Sequence, residues 1–186
     1  ATGHQAAEGE VMGPAPVTLL LQEVFELLMG PGFQHRGIVG SWQERMAAMM
    51  TELWQERPVG VVGLGIVGTA VAQAFHRNGA QIVYFDPAPR DVAALNAINA
   101  ASMVLDDLLK TSDIVTLHVP LLPATQNLLD AKRLALMKSD AILVNASRGG
   151  VVDEAALVAH LAAGKLGAAA VDVFSTEPPA ADNPLL

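Results

Sequence analysis

The sequence contains no cysteine, one tyrosine and only 4% aromatic residues among its 186 residues. The absence of cysteine excludes disulfide bonds, thiolate nucleophiles and cysteine metal ligands, and it favours a reducing, cytoplasmic location. Basic residues are also scarce, with 11 Lys plus Arg against 19 Asp plus Glu and a formal net charge of −8. Because binding to a phosphate backbone needs concentrated positive charge, we expect no nucleic-acid partner.

Long apolar runs are missing as well. No run reaches the roughly 18 residues that a membrane-spanning helix needs. The opening segment, ATGHQAAEGE, lacks the basic and apolar regions of a signal peptide. We therefore expect no membrane segment. The chain begins with Ala1 and ends at Leu186 without a polar tail, which we interpret as a piece of a longer protein.

Hydrophobic residues make up 52% of the chain and charged residues 16%, so about one domain with a buried core is expected. Residues 1–57 are interpreted as an N-terminal extension with helices at Val17–Met29 and Gln43–Leu53. The first of these helices carries a narrow polar stripe and is otherwise apolar. A core position and an interface both fit such a helix, and we favour an interface that forms a homodimer.

From Pro58 onward, short β-rich runs alternate with helical runs that are rich in Ala and Leu. The predicted strands are 59–62, 81–85, 102–104, 114–119, 141–145 and 168–173. The predicted helices are 67–78, 91–99, 105–110, 131–137 and 153–163. Strands that are almost wholly apolar are covered on both faces, and βα alternation favours a parallel sheet. Residues 58–186 are therefore predicted to form a doubly wound α/β domain of the Rossmann type, preceded by the N-terminal helical arm.

A glycine-rich loop follows the first predicted strand. GLGIVG places Gly63, Gly65 and Gly68 in the G-x-G-x-x-G spacing before a helix. The first glycine permits a tight turn, the second lets the backbone approach a pyrophosphate, and the third allows close packing of helix on strand. The helix N-terminus adds free N–H groups and the positive end of its dipole. Ile66 and Val67, inside the loop, are expected to line the same dinucleotide site.

The second predicted strand ends at Asp86 and Pro87. A carboxylate at this position accepts hydrogen bonds from the adenosine ribose hydroxyls and repels a 2′-phosphate. The pair therefore predicts a site for NAD rather than NADP, although Arg90 nearby keeps NADP open. The alternative role for Asp86 is to start a turn before Pro87.

A second group of polar residues follows the strand predicted at 141–145. Arg148 lies just beyond its carboxyl end, where open α/β sheets bind their ligands. A guanidinium there can hold a carboxylate through two N–H donors, and beside a nicotinamide this suits an anionic keto acid. A surface arginine in a turn is the alternative. Asp153 is predicted to cap the next helix rather than to bind a ligand.

Four segments in order carry a specific resemblance. They are GLGIVG with Asp86, SDIVTLHVPLLPATQNLL, NASRGGVVDEAAL and GAAAVDVFSTEPP. Together they resemble the NAD-binding domain of the D-isomer-specific 2-hydroxyacid dehydrogenases, over Leu53 to Leu186 and more loosely back to Val17. The resemblance implies an NAD-dependent oxidoreductase that transfers a hydride between the coenzyme and a small 2-hydroxy or 2-keto acid.

The resemblance also implies roles for single residues. Arg148 would bind the substrate carboxylate and carbonyl, and Glu177 would pair with a catalytic histidine and raise its pKa. Asp172 would accept a hydrogen bond from the nicotinamide carboxamide and fix which face of the ring offers hydride. The remaining residues implied to line the coenzyme are His118, Val119, Pro120, Thr125, Ala146 and Ser147.

One departure limits this resemblance. The family's histidine lies in a Pro-His motif after the glutamate segment, and the sequence stops before such a motif. Most of the family's first substrate domain is missing too. We therefore expect the isolated chain to bind coenzyme without turnover. The identity of the acid stays open among phosphoglycerate, glyoxylate, hydroxypyruvate and lactate-type acids. The five histidines show no metal-ligand spacing, so no metal is expected.

Two other classes of protein also bind a dinucleotide through such a loop. The first is a non-catalytic NAD-sensing module of the same family. The second is a short-chain dehydrogenase, which needs Tyr-x-x-x-Lys. This chain has Ala88 four residues after Tyr84, which excludes that class.

Overall fold

A computed structural model of the chain describes residues 57–88 and 92–186. These residues belong to the compact unit Gly40–Leu186. The helices predicted at Val17–Met29 and Gln43–Leu53 lie outside the described residues, and so does Arg90. None of the helices in the described ranges is long and apolar enough to cross a membrane.

Six strands and five helices alternate along the described chain. Their bounds are β1 (Pro58–Val62), α1 (Ile66–Arg77), β2 (Gln81–Phe85), α2 (Val92–Ala97), β3 (Ala101–Ser102), α3 (Leu105–Thr111), β4 (Ile114–Leu117), α4 (Ala131–Leu134), β5 (Ile142–Asn145), α5 (Glu154–Ala162) and β6 (Ala168–Val171). The strands form one sheet in the order β3-β2-β1-β4-β5-β6, and every pair is parallel. The order reverses between β1 and β4, which confirms the predicted doubly wound fold.

The buried centre of the sheet explains the apolar sequence of its strands. All four residues of β4 are buried, and so are four of the five in β1. Helices cover such strands on both faces, so polar side chains have no solvated face to occupy. The largest fully buried side chains belong mostly to the helices and strands around β4 and β5, and they include Leu108, Leu109, Leu117, Leu143 and Leu157.

Several predicted elements extend beyond the observed ones. β4 ends at Leu117 and β6 at Val171, because the chain then leaves the sheet at the edge where the loops form a crevice. β3 spans Ala101–Ser102, whereas 102–104 was predicted. It is short because it is an edge strand that pairs with β2 alone. α4 is shorter than predicted because the next residues continue in tighter bonds, with Leu136 N–H donating to the Arg133 carbonyl.

Helix α1 packs on the sheet through small residues. Gly68 and Ala72 are its buried residues, whereas Val67 is 63% exposed. The helix predicted at 67–78 is confirmed, but its buried side is not centred on the apolar face formed by Val67, Ala70, Val71, Ala74 and Phe75. Gly68 brings the helix backbone against the glycine loop, and this contact sets the rotation of the helix. Gly79, with φ of 91°, follows the end of the helix.

Candidate functional site

Two of the three loop glycines are required by the packing of the protein itself. Gly63 has φ of 92°, and an added Cβ would lie 2.7 Å from the carbonyl oxygen of His118. At Gly68 an added Cβ would overlap the Gly63 carbonyl oxygen. Any larger residue at these positions would push β1, β4 and α1 apart. Both glycines therefore hold the loop in its shape.

Gly65 is different, because beyond its two chain neighbours no atom of the described protein lies within 4 Å of an added Cβ. Its backbone is extended, with φ of −71° and ψ of −165°, a conformation that any residue adopts. The missing side chain thus leaves open space at the N-terminus of α1. In the described part of the chain no side chain caps this helix end, and its first turn holds no acidic residue. Open space beside uncapped amides fits the pyrophosphate of a dinucleotide.

Asp86 holds the glycine loop from the neighbouring strand. Its Oδ2 accepts from the Leu64 N–H at 2.6 Å, and its Oδ1 accepts from the Ala88 N–H at 2.7 Å. The second bond is the turn contact that the alternative role predicts, and Pro87 lies exposed inside that turn. Each carboxylate oxygen keeps a further lone pair for a ribose hydroxyl. The hydrogen bond with Leu64 was not predicted, because its donor is a backbone N–H, which every residue except proline carries.

The loops after β1, β4 and β5 meet around a cavity of about 230 Å³. Seven residues line it, namely Val67, His118, Val119, Pro120, Ala146, Ser147 and Arg148. All seven were predicted as site residues, and Arg148 is the one charged residue among them. The structure therefore brings Arg148 to the same cavity as Val67, near the start of α1.

A buried asparagine shapes the Arg148 loop. Asn145 is 3% exposed, and its Oδ1 accepts from the backbone N–H and the hydroxyl of Ser147, at 3.2 and 2.8 Å. Its Nδ2 donates to the Arg148 carbonyl at 3.2 Å, while Arg148 Nη1 donates to the Ser147 carbonyl at 2.6 Å. Asn145 was not among the predicted site residues. Its signal in the sequence was a polar residue at the end of an apolar strand.

His118 lines the cavity as a half-buried residue. Its Nε2 lies 3.0 Å from the Thr116 hydroxyl oxygen, and burial lowers the pKa of the imidazole. The ring is therefore neutral at pH 7, and it adds no second positive charge beside Arg148. Thr116 was not predicted, because an inward-facing threonine in an apolar strand carries no distinctive signal.

Of the nine predicted site residues that follow β4, β5 and β6, three lie outside the cavity lining. Thr125 donates to the Pro120 carbonyl at 2.5 Å and accepts from the Leu122 N–H at 2.8 Å, so its hydroxyl folds its own loop. Asp172 is exposed directly after β6. Glu177 is exposed too, and its Oε1 accepts from the Phe174 N–H at 3.1 Å. None of these three side chains lines the cavity.

Asp153 is confirmed as a helix cap, because its carboxylate accepts from the Ala156 N–H at 3.0 Å. The described residues include no group of three His, Cys, Asp or Glu side chains arranged to hold a metal ion.

Comparison with known proteins places the chain. Residues 31–186 match the sequence profile of the D-isomer specific 2-hydroxyacid dehydrogenase family, NAD binding domain. D-3-phosphoglycerate dehydrogenase of Methanocaldococcus jannaschii is 44% identical over 131 residues, which cover 70% of this chain and 25% of that protein. D-lactate dehydrogenase of Treponema pallidum is 44% identical over 121 residues, which cover 65% of this chain and 36% of that protein.

A solved structure is similar to this chain as well. NAD-dependent formate dehydrogenase from Staphylococcus aureus, in complex with NAD, superposes with a TM-score of 0.65 at 34% identity, covering 70% of this chain and 39% of that one. The chain belongs to the D-isomer specific 2-hydroxyacid dehydrogenase family and corresponds to its NAD-binding domain. The predicted family, fold and coenzyme are thereby confirmed. The chain spans about a quarter of the length of the phosphoglycerate dehydrogenases that it matches.

Proposed function

We propose that the chain is the coenzyme domain of an enzyme that transfers a hydride between NAD(H) and C2 of a small 2-hydroxy or 2-keto acid. The observation that carries the proposal is the cavity that Arg148 lines together with Val67 of α1. A cation beside a dinucleotide site suits an anionic substrate. Relatives named phosphoglycerate, glycerate and lactate dehydrogenases support the same class of substrate.

In this proposal the glycine loop and Asp86 bind the coenzyme. The open space at Gly65 and the uncapped amides of α1 receive the pyrophosphate. Asp86 accepts from the ribose hydroxyls with the lone pairs that Leu64 and Ala88 leave free. Asp172 accepts from the nicotinamide carboxamide. Residues assigned to the coenzyme surface are Ile66, Val67, Pro87, His118, Val119, Pro120, Thr125, Ala146 and Ser147.

Arg148 holds the substrate. Its guanidinium binds the carboxylate and polarises the keto oxygen through paired N–H donors. Because the His118 ring beside it is neutral, Arg148 supplies the positive charge of the cavity lining on its own. The fixed conformation of the Asn145 network orients the loop that carries the guanidinium, so little ordering is left for the substrate to impose.

The bound coenzyme supplies hydride at nicotinamide C4. The keto oxygen must also receive a proton, and we assign its donor to a histidine of the parent protein outside this chain. Glu177 would raise the pKa of that histidine by stabilising its charged form. General acid catalysis of this kind contributes about 10²- to 10⁴-fold in rate.

Two further parts of the proposal concern the parent protein. We infer a homodimer formed through the helix that the sequence predicts at Val17–Met29, because two copies related by a two-fold axis would bury its predicted apolar face on both chains. Sedimentation of the chain at micromolar concentration tests this. We also infer a cytoplasmic location, which the absence of cysteine supports.

Replacement of Arg148 tests the proposed function. In the parent protein, Arg148→Gln should lower kcat/KM for reduction of glyoxylate or hydroxypyruvate by about 100-fold, because a charge-assisted bidentate contact is lost. The affinity for NADH should stay within about twofold. Oxidation of NADH followed at 340 nm measures the first effect, and nicotinamide fluorescence measures the second.

Arg77→Gln is the matched control, since it removes an exposed arginine from the far end of α1. It should leave both quantities unchanged. An Arg148→Gln parent that is as active as the wild type would refute the proposed substrate site. A parent that binds NADH and reduces no 2-keto acid would instead favour an NAD-sensing module.

A further inference from the structure

The loops that carry Arg148 and Glu177 touch through their backbones. Gly149, next to Arg148, lies so close to the loop after β6 that an added Cβ would overlap the Phe174 carbonyl oxygen. The same Cβ would lie 2.7 Å from the Ser175 nitrogen. A displacement of either loop therefore moves the other.

A second contact ties the loop after β6 to helix α5. Glu154, the first residue of α5, accepts through Oε1 from both the backbone N–H and the hydroxyl of Ser175, each at 2.5 Å. The two residues are 21 positions apart. Since α5 follows directly on the Arg148 loop, the carboxylate of Glu154 joins that loop to the loop after β6.

The same loop segment orients Glu177. The N–H of Phe174, the residue before Ser175, donates to Glu177 Oε1 at 3.1 Å. This N–H belongs to the Val173–Phe174 peptide, so the direction of the Glu177 carboxylate depends on that peptide, which shares the Phe174 Cα with the Phe174–Ser175 peptide. Glu154 fixes the Phe174–Ser175 peptide on one side, and Gly149 fixes it on the other.

We propose that Glu154 is a positioning residue. By accepting hydrogen bonds from the N–H and the hydroxyl of Ser175, it keeps the Glu177 carboxylate at a fixed position relative to Arg148. The proposal rests on the proposed function, which assigns Arg148 to the substrate and Glu177 to the proton donor. Ser175 is exposed, so without Glu154 its two donors would turn to water and the segment would lose its anchor. A displacement of about 1 Å in a reacting group costs up to about 100-fold in rate.

Two substitutions separate the hydrogen bonds from the charge. Glu154→Gln keeps a carbonyl oxygen that can accept from Ser175, whereas Glu154→Ala removes every acceptor. Asp182→Ala is the matched control, because Asp182 lines the same groove as Glu154 beside Thr176 and Pro179. The turnover of a 2-keto acid is measured in the parent protein, together with its affinity for NADH.

Glu154→Ala should lower kcat at least about tenfold, with NADH affinity within about twofold of the wild type, because the glycine loop is untouched. Glu154→Gln should recover kcat to within about twofold. Asp182→Ala should match the wild type. A Glu154→Ala enzyme with wild-type kcat would overturn the positioning role, as would a Glu154→Gln enzyme as slow as Glu154→Ala.

Amide hydrogen exchange in the 186-residue chain gives a readout that needs no substrate. Exchange at Phe174 and Ser175 should accelerate in Glu154→Ala and stay slow in Glu154→Gln, and unchanged exchange in Glu154→Ala would contradict the anchor. Failure of the two proposals is distinguishable. A wild-type parent without turnover overturns the proposed function and the positioning role together, whereas an active parent with an equally active Glu154→Ala overturns only the positioning role.

Discussion

The two sides of the crevice are held by different means. On the coenzyme side, backbone contacts at Gly63 and Gly68 set the loop, and one carboxylate, Asp86, fastens it. On the side of Arg148 and Glu177, polar side chains hold the loops, with Asn145 buried beneath one and Glu154 outside the other. The coenzyme side is thus shaped mainly by the absence of side chains, whereas the substrate side adds side-chain hydrogen bonds to its one close backbone contact, at Gly149.

This difference has a physical origin. A pyrophosphate is shared by every reaction that uses the coenzyme, and backbone N–H groups with a helix dipole bind it without any particular side chain. A substrate is recognised by charge and direction, which only side chains supply. Substitutions on the coenzyme side should therefore act through space, and those on the substrate side through lost bonds.

Gly68→Ala gives the largest expected effect, a loss of stability. Helix propensity alone would favour Gly68→Ala by about 1 kcal/mol. The overlap with the Gly63 carbonyl should outweigh it and lower the free energy of unfolding by about 3 kcal/mol or more. Urea denaturation followed by circular dichroism measures this loss.

Gly65→Ala is its counterpart. It should leave the urea midpoint unchanged, because its Cβ meets no atom of the described protein, and it should weaken NADH binding by at least about tenfold, or 1.4 kcal/mol. Equal destabilisation by the two alanines would remove the distinction between packing and ligand space. Wild-type NADH affinity in Gly65→Ala would contradict the assignment of that space to the pyrophosphate.

Much of the fold was predictable because it depends on local patterns. Apolar runs and glycine stops indicated all six strands and their order of alternation with helices. Strand ends were less predictable, since β4 and β6 stop where their neighbours stop pairing. The cavity lining was predicted through motifs and the family resemblance. The bonds from Leu64 to Asp86 and from Ser175 to Glu154 join positions 22 and 21 apart, and only the folded chain brings them together.

Asp86 gives a smaller effect, and it tests whether the coenzyme side depends on one side chain after all. Asp86→Ala should weaken NADH binding by about tenfold through loss of the ribose acceptor. NADPH should lose less, because the removed charge opposes its 2′-phosphate. Some loss is expected for both coenzymes, because the Leu64 bond to Asp86 also holds the glycine loop.

Fluorescence titration with both coenzymes measures the ratio of their affinities, and Asp107→Ala, on the exposed side of α3, is the control. The ratio should shift toward NADPH in Asp86→Ala alone. An equal loss for both coenzymes would leave Asp86 with a role in the loop and none at the ribose.

His118 gives the smallest expected effect, and it concerns the point where the two sides meet. Burial lowers the pKa of its imidazole in the folded domain, so the unfolded chain binds the proton more readily. Stability from the neutral ring is therefore fully present above the unfolded value of 6.5 and is lost as the pH falls toward the lowered pKa. His118→Gln carries no such proton. Between pH 8 and pH 5.5 the Tm of the wild type should fall a few degrees further than the Tm of His118→Gln, as measured by differential scanning calorimetry.

Parallel curves of Tm against pH for the two proteins would show that the ring accepts a proton as easily in the cavity as in the unfolded chain. The positive charge beside the coenzyme would then no longer belong to Arg148 alone at low pH.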